Sequence, residues 1–100
     1  MSVVTAVLRA RPECADILGA TLREVAESTR AEAGLVGYTV VRLPDDVFVL
    51  SERYADVAAR EAHMASPYVA RLLAQFPELL AENPGVEFGT EAVEFVDFRK

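Results

Sequence analysis

The first ten residues put the tightest constraint on the fold. From Val3 to Arg11 the chain is rich in β-branched residues, and both alternating faces are largely apolar. Val3, Thr5 and Val7 share one face, and Val4, Ala6, Leu8 and Ala10 share the other. A strand of this kind needs cover on both sides.

The following segments supply cover for one side. Pro12 suits a first helical turn, Glu13 and Asp16 place negative charge at the positive end of the helix dipole, and a helix is expected over 13–32. Its apolar stripe is Cys14, Ile17, Leu18, Leu22 and Val25, with Thr21 and Thr29 on the same side. Gly34 reads as a left-handed stop and Gly37 as a bulge. Strands are expected over 36–43 and 47–54, joined by the turn-forming Pro44-Asp45-Asp46 and paired antiparallel. Asp56 can cap a short helix that runs to about His63, and Ser66-Pro67 can start a second one, so the helical segment breaks near Ala65. Val69, Leu72, Leu73, Phe76, Leu79 and Leu80 then form an apolar stripe that Asn83-Pro84-Gly85 ends. A last strand is expected within 91–99, with 86–89 as an extended lead-in.

This order predicts a single α+β domain over 1–100: a ferredoxin-like antiparallel sheet with both helices on one face. A second copy of the sheet is the simplest cover for the other face, so a homodimer is expected. The net charge of −6, with ten scattered Lys and Arg, argues against nucleic acid and against anionic membrane surfaces. A small-molecule substrate fits better. No apolar run reaches the roughly 20 residues that span a bilayer. The first residues show no basic cluster or cleavage pattern, and the lone Cys14 cannot form an internal disulfide, so a cytoplasmic location is expected.

Several short motifs resemble the antibiotic biosynthesis monooxygenase domain. They are Arg11-Pro12, Arg30-Ala31-Glu32-Ala33-Gly34, Gly37-Tyr38, Ser51-Glu52-Arg53-Tyr54-Ala55-Asp56, Ala59 with His63, and Ala65-Ser66-Pro67-Tyr68. The resemblance runs from Val3 to about Leu80 and implies a dimeric α+β barrel. It also implies a cofactor-independent oxygenase acting on a small quinol or polyketide-like aromatic. The sequence departs from the family at four places: Tyr54 stands where many relatives carry Trp, Tyr68 where many carry His, Ala33 where Pro is usual, and Glu13 where Gly is usual. The same barrel also serves non-oxidative isomerases or cyclases and ligand-sensing dimers, so both alternatives stay open.

The residues offer little to hold a cofactor. There is no glycine-rich phosphate loop, one His and one Cys show no ligand spacing, and Leu73 stands where haem-degrading relatives carry their axial His. No cofactor is expected. His63 is the natural base, since an unperturbed imidazole titrates near 6.5 and Ala59 one turn earlier leaves room beside it. The alternative is a helix histidine bonded to Ser66 or to a backbone carbonyl. Glu52 and Tyr54 share a strand face with Phe48 and Leu50; Glu52 is a candidate substrate-binding residue, and the preferred structural reading is an ion pair with Arg9, Arg42 or Arg53. The resemblance places Tyr54 in the pocket as a wall or donor. Tyr38 and Tyr68 are further candidates of that kind. Phe76 and Met64 are expected in the core or a pocket wall, and Cys14 as a small buried hydrophobe.

Overall fold

Alternation in the first strand decides where everything else packs. In the computed structural model, which describes residues 1–92, β1 (Ser2–Arg9) buries Val4, Ala6 and Leu8 on one face. A 3-10 turn at Pro12–Cys14 leads into α1 (Ala15–Thr29), followed by β2 (Leu35–Leu43), β3 (Val47–Tyr54), α2 (Val57–Met64), α3 (Pro67–Leu79) and β4 (Gly85–Thr90). The four strands form one sheet in the order β2-β3-β1-β4, and all three pairings are antiparallel. Leu18, Leu22 and Val25 of α1 and Leu72, Phe76 and Leu79 of α3 join Leu8, Phe48 and Leu50 in one core. This is the ferredoxin-like α+β arrangement, with the helices on one face of the sheet.

The capping signals act as their chemistry predicts. The Asp56 side chain accepts from the Ala59 amide, Ser66 accepts from Val69, and Ala65 ends α2. The register shifts between Leu35 and Gly37, so the bulge expected at Gly37 forms. Asp45 and Asp46 both take positive φ, which tightens the turn between β2 and β3.

Four expectations need correction. The first helix is shorter than 13–32: the opening turn is 3-10, with the Cys14 amide bonded to the Arg11 carbonyl, and the helix ends at Thr29. Ile17 and Leu73 lie outside the core at 57% and 44% exposure. The last helix stops at Leu79, because Arg11 bonds to the Leu79 carbonyl and Ala81 to that of Arg9, drawing Leu80 into an isolated bridge with Ala10. The lead-in 86–89 belongs to a true strand, β4, paired with β1; of the strand expected within 91–99, Glu91 and Ala92 lie in no strand and 93–99 lie outside the described residues. Glycines at 85 and 89 weaken the β signal of that segment.

The opposite face of the sheet carries aliphatic side chains that none of the described helices covers. Cross-strand register sets Val7, Val49 and Val41 in one row, with Val47 and Leu43 beside them. Val7, Val41 and Leu43 are 49%, 50% and 43% exposed.

Gly34 ties the loop after α1 to α2. Its φ is +84°, a β-carbon there would lie 2.7 Å from that of Ala59, and its carbonyl accepts from the Ala55 amide at 2.7 Å. Gly34→Ala should therefore lower unfolding stability by about 1–2 kcal/mol from backbone conformation alone, and by more from the clash. Urea denaturation checks this; a midpoint equal to that of the parent chain would contradict it.

Candidate functional site

Local structure brings the chain's single histidine to the end of the sheet. The Asp56 cap sets the start of α2, and His63 in its last turn points inward with only 3% exposure. On β3, alternation turns Phe48, Leu50, Glu52 and Tyr54 toward the helices, and all four are buried. The two elements thus place an imidazole against a carboxylate in the interior.

The result is a continuous polar chain. His63 Nδ1 lies 3.1 and 3.0 Å from the two carboxylate oxygens of Glu32, and His63 Nε2 lies 3.1 Å from Glu52 Oε1. The Tyr54 hydroxyl donates to the same Glu52 oxygen at 2.8 Å. With an acceptor oxygen facing each ring nitrogen, both contacts are satisfied when both nitrogens carry hydrogen. Burial alone would lower the imidazole pKa, but the hydrogen bonds and charges of Glu52 and Glu32 outweigh it and raise the pKa above its ordinary value.

All three tyrosines of the chain surround this ring. The Tyr54, Tyr68 and Tyr38 ring centroids lie 5.2, 6.2 and 6.3 Å from that of His63. Burial, reinforced by the nearby carboxylate charge, pushes the phenol pKa of Tyr54 and of Tyr38 upward, so both hydroxyls stay protonated.

His63 and Glu52 also reach a narrow cavity of about 50 Å³ between β1 and α3. Its walls are apolar and include Val4, Leu50, Met64, Leu72 and Phe76, with Leu73 and Val86 at the exposed rim. A larger groove of about 570 Å³ runs between α1 and β2 past Tyr38. It contains neither His63 nor Glu52, and its Arg42 is already paired with Asp16 and Asp46 at 3.0 Å, so the smaller cavity holds the reactive groups.

The structure therefore gathers His63, Glu52, Tyr54, Tyr38 and Tyr68 in one cluster. Phe76 is set apart, as core and cavity wall. Four local expectations change. Glu52 pairs with His63 and Tyr54 and with none of the three arginines expected; Arg9 bonds to Glu82 and Arg42 to the two aspartates. The Ser66 hydroxyl donates to the His63 backbone carbonyl and not to the ring. The room beside Ala59 is filled by Gly34. Cys14 is only partly buried, with Sγ 3.7 Å from the Glu78 carbonyl. The residue that sequence reasoning left without a role is Glu32. Assigned to a helix, it falls at the end of the apolar stripe, seven residues after Val25, with no partner that local sequence shows; the early helix end and Gly34 let it meet His63. Among the described residues no group of three His, Cys, Asp or Glu side chains could hold a metal ion, since Glu32 and Glu52 lie on opposite ring nitrogens. No described helix is long and apolar enough to cross a membrane.

The fold and this cluster define a small α+β domain with a buried imidazole between two carboxylates. The sequence profile of the antibiotic biosynthesis monooxygenase family matches residues 1–83, and the chain belongs to that family. It is similar to the structure of Rv0793 from Mycobacterium tuberculosis, with 32% identity and a TM-score of 0.87 over 93% of this chain and 96% of that one. A crystal structure described as an antibiotic biosynthesis monooxygenase shares 28% identity and a TM-score of 0.83, covering 94% of this chain and all of its own. PA3566 from Pseudomonas aeruginosa shares 26% identity and a TM-score of 0.80, covering 92% and 94%. No curated protein matches the sequence.

The raised histidine pKa has a consequence for stability. A group whose pKa is higher in the folded chain contributes fully below its unfolded value, and the contribution is lost as pH rises through the folded value. The stability advantage of the parent chain over His63→Gln should therefore be largest below about pH 6.5 and should shrink as pH rises. Urea unfolding at several pH values measures it; an advantage that grows with pH would contradict the assignment.

Proposed function

We propose that the chain is a cofactor-free monooxygenase acting on a small electron-rich aromatic, a quinol or polyketide-like phenol. The observation that carries this reading is the meeting of His63 and Glu52 at an apolar cavity inside a domain of this family. Such a substrate reduces oxygen itself once deprotonated, so the protein has only to remove a proton, hold the oxyanion and exclude water.

Roles follow from the protonation state. With His63 held as imidazolium, the proton acceptor is Glu52, through the carboxylate oxygen that neither Tyr54 nor His63 uses. The oxyanion left on the substrate then lies beside the positive charge of the imidazolium, while Tyr54 holds Glu52 in place through its hydroxyl. A carbanion-like ring carbon bonds to one atom of O2, and the distal oxygen of the resulting peroxide takes the proton from Glu52. Loss of the C–H proton from that carbon breaks the O–O bond to leave a carbonyl on the ring and, with that proton, water. Tyr38 and Tyr68 pack around the His63 ring from outside the cavity, and Phe76 supports its wall. The cavity is small, so binding a ring requires its apolar lining, which includes Met64 and the exposed Leu73, to rearrange.

The aliphatic row on the bare sheet face supports a working homodimer, since a partner sheet would take Val7, Val41 and Leu43 out of water. Cytoplasmic location remains part of the same proposal.

Oxygen-electrode assays against quinols and anthrones test the reading, with sedimentation alongside to give the mass. Glu52→Gln should lower turnover by about 10²-fold or more, the scale of a lost general base. The rate should fall as pH rises through the His63 titration, because the protonated ring is the active form. Turnover without oxygen uptake would replace this reading with an isomerase or cyclase, and binding without turnover would replace it with a sensor.

A further inference from the structure

Within the polar chain, Glu32 is the member that reaches water. Its side chain is 19% exposed, against 3% for His63 and 6% for Glu52, and Tyr54 is fully buried. It is also held firmly. The Glu32 amide bonds to the Thr29 carbonyl at 3.0 Å, and two residues on, Gly34 packs on Ala59 and accepts from Ala55. That clamp brings both carboxylate oxygens onto one ring nitrogen across 31 residues of sequence.

We propose that Glu32 is a positioning residue for the reaction: from the solvent edge it holds the hydrogen on His63 Nδ1, keeping the ring an imidazolium whose Nε2–H faces Glu52. The site's positive charge is thereby set before substrate arrives. This role rests on the oxygenase reading above for its use in turnover, but not for its existence. The groups facing the ring are Glu32 from the loop, Glu52 and Tyr54 from β3, Tyr38 from β2 and Tyr68 from α3. Tyr38 and Tyr54 keep their protons, so among the described residues it is the two carboxylates that oppose the desolvation of a buried cation. Without Glu32 the Nδ1 hydrogen has no charged acceptor. The proton then leaves Nδ1 for water, its bonding pair stays on the ring, and a neutral imidazole remains with hydrogen on Nε2.

A merely structural role would be served by any acceptor of the same shape, which Glu32→Gln supplies. The test is nitrogen NMR of the His63 ring in the full chain, without ligand, across pH, for the parent, Glu32→Gln and Glu32→Asp. The parent ring should be protonated on both nitrogens at pH 7. Its titration midpoint should fall by about one pH unit or more in Glu32→Gln, the scale of losing an opposite charge at this distance, and should stay closer to the parent in Glu32→Asp. A neutral ring in the parent at pH 7, or an unchanged midpoint in Glu32→Gln, overturns the proposal; the first of these needs no variant to fold. Where a quinol is turned over, the alkaline limb of kcat should move to lower pH in step with the ring. A chain that consumes no oxygen with any quinol, yet shows the fall in midpoint, sinks the oxygenase reading and leaves the role of Glu32 standing.

Discussion

A buried imidazole held between two carboxylates is the interaction around which this domain is arranged. Removing such a ring from water is unfavourable by several kcal/mol unless each nitrogen finds a partner. Here Glu32 and Glu52 provide one each at about 3 Å, and Tyr54 completes the hydration that Glu52 Oε1 loses. The same requirement explains local features that look unrelated. The helix ends at Thr29, Gly34 adopts a left-handed conformation against Ala59, and Asp56 fixes the start of α2, because each brings one partner into reach.

The sheet contributes by alternation. The periodicity that buries Phe48 and Leu50 also buries Glu52 and Tyr54, so the apolar core and the polar chain are successive parts of one strand face. This continuity gives the cavity a dry wall and two reactive groups at once. In the proposed reaction the Glu52 carboxylate is the base, and the imidazolium beside it faces the oxyanion. The family to which the chain belongs fits this chemistry, while the substrate is set by cavity shape.

Much of the fold was legible because its signals are local. Asp56 and Ser66 as caps, Pro44-Asp45-Asp46 as a turn, Gly34 as a stop and the alternation of β3 each depend on neighbours in sequence. His63 and the tyrosines could be named as candidates, being the chain's one imidazole and its three phenols. What stayed hidden were contacts between distant segments. Glu32 was absorbed into a helical pattern that continues past Thr29, and Glu52 was given an arginine because charge alone suggests one. The sequence of β4 reads only as a lead-in, since two glycines dilute its pattern and its strand character comes from pairing with β1.

The central claim is that His63 and Glu52 act as one charged unit inside the domain. A double-mutant cycle with Glu52→Gln, His63→Gln and the combined variant, read by urea unfolding at pH 6, tests it most directly. The account predicts a coupling of about 1 kcal/mol or more, the double change costing less than the two single changes added together. Additive losses, with coupling near zero, would show that the two groups are neighbours without being partners and would contradict the account.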